Sequence, residues 1–195
     1  EWLEEIYDLV LFYRDFLDQF NLEKVHLVGH SLGGWLAAEF AVAYRERLHS
    51  LTLVDAAGIF VPGVMMGDNF MWNWEERVRN LYHDEKLVEE ILSRPLSSEE
   101  MDVLVKNNET AAKLAWNPRW HNPKLKKRLD RITVPTLVVW GENDRLFPIE
   151  YAWEWEKLIP NARLAVIKEC GHSPQIEKPD QFVTHLFHFY KQLSS

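Results

Sequence analysis

The chain has 195 residues, 47% hydrophobic and 27% charged, enough to bury one substantial core as a single domain with an insertion. With 22 basic and 30 acidic residues the net charge is −8, which argues against nucleic acid or an anionic membrane surface as a partner. A single cysteine, Cys170, excludes an internal disulfide and any multi-cysteine metal site and is compatible with a reducing, cytoplasmic compartment, and no apolar run reaches membrane-spanning length.

The first element is helical. Trp2, Ile6, Leu9, Val10, Tyr13, Phe16, Leu17 and Phe20 recur at helical spacing, with no capping residue and no preceding loop. The expectation is a fragment whose N-terminal segment, with any targeting signal, lies outside this sequence. Val25–Val28 is then a short apolar strand that runs into Gly29, and Trp35–Tyr44 is made of helix formers. Leu51–Val54, Thr136–Trp140 and Ala162–Ile167 are three more short apolar runs, with helical patterns over Ile149–Leu158 and Asp180–Leu193. Short apolar strands alternating with helices imply right-handed crossovers and a parallel sheet covered on both faces, so the fold class is α/β, with reactive residues expected where strands end.

Residues 61–131 do not fit one crossover and read as a helical insertion, against core segments 1–60 and 132–195. Ser97-Ser98-Glu99-Glu100 offers a capping box for a helix running toward Trp116, and Asn117-Pro118 and Asn122-Pro123 are turn signals. Lys124, Lys126, Lys127, Arg128 and Arg131 read as the solvated face of a helix. Phe70, Trp72, Trp74, Tyr82, Trp116 and Trp120 make the insertion aromatic, and most of these rings are expected in its own small core. An insertion that follows a strand's C-terminal end lies over the reactive edge of the sheet, so Trp72, Trp116 and, after the third strand, Phe147 are expected to line a pocket.

The sharpest motif is Gly29-His30-Ser31-Leu32-Gly33, a serine between two glycines at a strand-to-helix junction. A turn sharp enough to lift a serine above its strand forces unusual backbone angles and brings chain so close that a Cβ would clash, hence Gly29 and Gly33. The following helix aims free N–H groups at whatever reacts with the serine. A neutral hydroxyl is a poor nucleophile, so a base and an acid are required further along. Asp144, in Gly141-Glu142-Asn143-Asp144, follows the third strand, and His172, in Cys170-Gly171-His172-Ser173, follows the fourth. His172 would take the serine proton and return it to the leaving group, while Asp144 fixes the imidazole tautomer.

The blocks "GHSLGG", "VPTLVVWGENDRLFP" and "CGHSPQIEKPDQF", in this order and spacing, resemble three blocks of the α/β-hydrolase superfamily, specifically its cap-bearing serine hydrolases. The resemblance implies Ser31 as nucleophile, Asp144 as acid, His172 as base and the Leu32 backbone N–H as one oxyanion donor. By the same resemblance the complete fold has eight strands and this chain starts at the helix before the fifth. The loop carrying the second oxyanion donor is then absent, a loss that elsewhere lowers turnover about a hundredfold to a thousandfold. The chain by itself is therefore expected to be poorly active and prone to aggregation.

Other residues compete for these roles. Asp55 ends the second strand, where some relatives of this type keep the acid. Glu142 reads as a loop residue, His30 and Cys170 as packed side chains, and the remaining histidines form no metal-ligand spacing. No metal or organic cofactor is needed. The first expectation is hydrolysis of small apolar carboxylic esters, and a second is carbon–carbon bond hydrolysis of aromatic ring-cleavage products of the 2-hydroxy-6-oxodienoate type. Of another class is a small-ligand binder without turnover. Amide hydrolysis would call on Glu75, Glu76 or Glu109 to recognise a charged terminus.

Overall fold

Each of the four apolar runs is too short for a stable helix and is bounded by turns, and each of the first three is followed by a segment that carries the chain back for another parallel strand. The computed structural model, which describes residues 3–193, has β1 (Val25–His30), β2 (Leu48–Val54), β3 (Thr136–Gly141) and β4 (Ala162–Ile167) in one parallel sheet in chain order. β2 begins earlier than its apolar run because Leu48 and Ser50 pair with Val25 and His26. The registers His30 with Val54, Val54 with Val139, and Gly141 with Ile167 align the C-terminal ends of the strands. Ser31, Asp55, Asp144 and His172 all leave the sheet at that edge.

Period-two alternation sorts the strand side chains between two faces. Leu51, Leu53, Val138, Trp140 and Leu164 face one core with helices α1 (Ile6–Gln19), α2 (Leu32–Tyr44) and, later in the chain, α6 (Ile149–Leu158). Val54, Leu137, Val139, Ala165 and Ile167 face a smaller core closed by Phe182, Leu186 and Phe189 of the C-terminal helix. Between β2 and β3 lie α3 (Trp74–Leu81), α4 (Glu85–Ser93), α5 (Ser98–Ala115) and a short 3-10 helix, Leu125–Arg131; after β4 come α7 (Pro174–Glu177) and α8 (Pro179–Leu193). Ser97 caps α5 through Glu100, as its sequence motif suggests. The basic cluster falls on the 3-10 helix, which buries Leu125 and Leu129.

Two expectations change. The first helix does have a cap: Asp8, inside its first turn, accepts the N–H groups of Glu4 and Glu5 at 2.8 and 2.9 Å. Trp2, with which its sequence pattern began, lies outside the described residues. The crowding expected at both elbow glycines falls instead on Gly29 and Gly34. A Cβ on Gly29 would sit 2.2 Å from the Gly33 carbonyl oxygen and one on Gly34 2.5 Å from Ala56 Cβ, whereas Gly33 has nothing within 4 Å.

Among the described residues β1 pairs only with β2. Along its other edge runs an apolar groove of about 170 Å3 lined by Tyr13, Leu17, Leu27, Val28 and Leu36. Among the described residues no helix is long and apolar enough to cross a membrane.

Candidate active site

Ser31 stands at φ 53°, ψ −119°, a backbone conformation that costs a non-glycine residue energy and is held only where surroundings enforce it. They do so here. The Ser31 N–H continues the ladder onto the Val54 carbonyl, while the Ser31 carbonyl accepts from Gly34, Trp35 and Ala57 at 2.9, 3.2 and 3.0 Å. Leu32, the first residue of α2, has an N–H with no helical carbonyl to satisfy it.

His172 and Asp144 meet at the same edge. His172 Nδ1 donates to Asp144 Oδ2 at 2.8 Å, and both side chains are buried. Asp144 Oδ1 accepts from the N–H groups of Leu146 and Phe147 at 2.7 and 3.0 Å, so the carboxylate is fixed by its own loop. With Nδ1 committed, Nε2 is the ring nitrogen left with a lone pair. Glu142 is exposed. The structure thus brings together the Asp144–His172 pair that the sequence proposed.

His30 has a more specific place than packing. Its Nε2 donates to the His172 carbonyl at 2.7 Å and its ring lies 4.9 Å from the His172 ring, which ties the serine's neighbour to the base loop. Burial, with the nearby His172 ring, pushes the His30 pKa down to about 4, so the ring is neutral near pH 7. Burial pushes the Cys170 thiol well up, aided by the negative charge of Glu177, so it is no thiolate nucleophile.

Glu177 is a residue that sequence reasoning missed. Its Oε1 accepts the Gly171 N–H at 2.7 Å, and its Oε2 accepts those of His83 and Asp84 at 2.7 and 3.0 Å. The His172 N–H donates to the Leu81 carbonyl at 2.8 Å. One carboxylate therefore clamps the α3–α4 junction to the His172 loop. The spacing of Glu177 from His172 gives no sign of this, because its partners lie in a distant part of the chain.

Of the three rings expected at a pocket, Phe147 is next to the pair: it meets His172 edge-on at 5.6 Å, and the Trp140 indole N–H donates to its carbonyl. Trp120 follows, 6.4 Å from Phe147 and stacked on Phe70 at 4.8 Å. Trp116 lies beyond Phe70, half-exposed beneath the Arg119 guanidinium, and Trp72 packs on Gly67 beside the Asp144 loop. Glu75 and Glu76 are exposed and occupied, by Arg79 and by the α3 cap respectively, and Glu109 is exposed.

Asp55, at φ 43°, is wholly buried. Its Oδ1 accepts the Gly141 N–H at 2.9 Å, while Oδ2 has no partner. Burial, together with the charge of Asp144, pushes its carboxyl well above the usual carboxylate range. Ligand atoms of Asp55, Asp144 and His172 lie within 4.8 Å of one another, close enough for a cation. Asp144 and His172 already bond to each other, however, and the chemistry of the set is that of proton sharing.

A profile of the family described as alpha/beta hydrolase fold matches residues 4–179. The chain is 31% identical over 194 residues to 2-hydroxy-6-oxo-6-phenylhexa-2,4-dienoate hydrolase of Comamonas testosteroni, covering 92% of this chain and 67% of that protein. It is 33% identical over 188 residues to 2-hydroxy-6-oxononadienedioate/2-hydroxy-6-oxononatrienedioate hydrolase 2 of Pseudomonas putida, covering 87% and 63%. The chain thus spans about two thirds of the length of these curated relatives. Among solved structures, a meta-cleavage product hydrolase from Pseudomonas fluorescens IP01 superposes with TM-score 0.76 at 23% identity, covering 96% of this chain and 72% of that one. A putative lipase from Acinetobacter baumannii AYE superposes with TM-score 0.73 at 23% identity, covering 100% and 70%. At these identities the structural likeness speaks for the fold.

Proposed function

Since this chain belongs to the α/β-hydrolase fold family, we propose that Ser31, His172 and Asp144 act as nucleophile, base and acid of a serine hydrolase, and that its substrates are 2-hydroxy-6-oxodienoates cleaved at a carbon–carbon bond. The observation that carries the triad is the buried 2.8 Å bond from His172 to Asp144, set at the same sheet edge as a serine in a strained turn. The named activities of the relatives favour carbon–carbon cleavage over the small apolar esters that the sequence put first.

Both reactions make the same demands. Ser31 Oγ attacks a carbonyl carbon as its proton passes to His172 Nε2, and the Leu32 N–H donates to the carbonyl oxygen as negative charge develops on it. In an ester the leaving group is an alkoxide that takes the proton from His172. In the keto form of a hydroxy-oxodienoate the bond between the ketone carbon and its neighbour breaks instead. Its electron pair is delocalised into the conjugated keto acid, which accepts the proton as a dienol. Water, deprotonated by His172, then releases the acyl group from Ser31. We take residues 61–131 as the cap, with Phe147 and Trp120 as the apolar wall nearest the base.

The test is fluorophosphonate labelling located by peptide mass spectrometry, with Ser31→Ala as control, followed by turnover of 2-hydroxy-6-oxo-6-phenylhexa-2,4-dienoate against p-nitrophenyl acetate. Labelling at Ser31 and preferential cleavage of the dienoate are expected. Ester turnover without dienoate cleavage would move the assignment to an esterase, and labelling at another residue would remove Ser31 as the nucleophile.

A further inference from the structure

We propose that Asp55 is a positioning residue of this site: held as a neutral carboxylic acid, it donates its Oδ2 proton to the Asp144 carboxylate, keeping that group aimed at His172 and less basic. The proposal rests on the triad reading above. It differs from the role of rival acid considered from the sequence, because His172 Nδ1 is bonded to Asp144.

The Asp144 carboxylate has room for one more donor. A carboxylate has about four acceptor sites. Asp144 Oδ1 receives two N–H bonds and Oδ2 receives His172, which leaves one site on Oδ2 open. Asp55 Oδ2 is buried without a partner, and a carboxylate oxygen of Asp55 lies within 4.8 Å of the Asp144 carboxylate and the His172 ring. A buried oxygen that is close to an acceptor and has no donor of its own is satisfied if it carries the proton itself. Two carboxylates this close and this buried do not both ionise. The charge settles on the better solvated partner, and Asp144 has three donors where Asp55 has only the Gly141 N–H. The other ionisable groups around the pair are His172 and Cys170 from the loop after β4, Glu177 from α7 and His30 from β1. Glu177 adds negative charge that further disfavours a second anion.

This proton has a consequence for the base. A hydrogen bond donated to Asp144 shares its negative charge and so weakens its hold on the imidazolium that forms when His172 takes the serine proton. Asn in place of Asp55 keeps both functions, with its carbonyl accepting from Gly141 and its amide N–H donating to Asp144. Ala keeps neither.

Two measurements test the proposal. Infrared difference spectra at pH 7 between the unaltered chain and Asp55→Asn are expected to show the carbonyl stretch of a protonated carboxyl group, present only in the former. Absence of that band overturns the proposal, whether or not the chain is active. Fluorophosphonate labelling rates at Ser31 are then followed against pH. Asp55→Asn is expected to label within about threefold of the unaltered chain with its acid limb unmoved, and Asp55→Ala about tenfold or more slowly with its acid limb raised by about one pH unit. If Asp55 were ionised, Asn would remove a negative charge and lower the acid limb, which would refute the idea. A slower Asp55→Ala with an unmoved acid limb would assign Asp55 a purely structural role and also overturn it. Labelling of the unaltered chain at a residue other than Ser31 would instead count against the triad reading, while the infrared band still decides Asp55.

Discussion

His30 makes stability depend on pH in a way that can be isolated. Its pKa is about 4 in the fold, against 6.5 for an unperturbed histidine. Between those values the unfolded chain binds more protons than the folded one, so stability rises with pH and is lost as pH falls. The depressed folded value therefore costs almost nothing at pH 7.5. At pH 5 the unfolded side chain is nearly fully charged and the folded one is neutral, a difference of about 2 kcal/mol, with a limit of about 3.4 kcal/mol below both values. The perturbation is His30→Gln, which keeps an N–H donor for the His172 carbonyl and removes the titration. Urea denaturation of both proteins at pH 7.5 and 5.0 gives a double difference from which the titrations of Asp55 and every other common group cancel. Unaltered protein is expected to lose about 2 kcal/mol more than His30→Gln, or about 4–8 °C in Tm. Equal losses in the two proteins would show that His30 is charged in the fold or exposed, and would refute the account of its burial.

The elbow glycines should separate by sign. Gly33→Ala is expected to stabilise by about 0.5–1 kcal/mol, since it puts a better helix former into open space, while Gly34→Ala, driven into Ala56, is expected to destabilise by about 1–3 kcal/mol, both read from urea midpoints. For Glu177→Gln, one end of the side chain becomes a donor facing N–H groups that need an acceptor, so a loss of about 2 kcal/mol is expected, with hydrogen exchange rising at Gly171, His83 and Asp84 together. Exchange rising at Gly171 alone would contradict the clamp.

Much of the frame was legible because it is local. Apolar runs of strand length, helical periodicity over Ile149–Leu158 and the Ser97 cap are all patterns within a few residues, and the structure has them where the sequence puts them. The proposed pair Asp144–His172 was legible for another reason: each residue follows a strand end, and parallel registers bring those ends to one edge. What was hidden depends on contacts between distant segments. Nothing near Gly34 announces Ala56, nothing near Glu177 announces His83, and the cap of α1 sits within the helix, where a search for a residue before it finds none. Trp120 and Trp116 are indistinguishable by composition, and only the path of the chain after α5 turns one toward Phe147 and the other toward solvent.

The order of strands in the sheet has a bearing on biosynthesis. Sheet order equals chain order, so Ser31, Asp55, Asp144 and His172 leave the ribosome in the sequence in which they line the edge. The serine is made first and the histidine last, on a loop that β4 must dock before it is placed. A nascent or prematurely terminated chain that stops short of β4 therefore displays the serine turn without its partner, and whatever chemistry this edge performs is withheld until the loop after β4 has been made and docked.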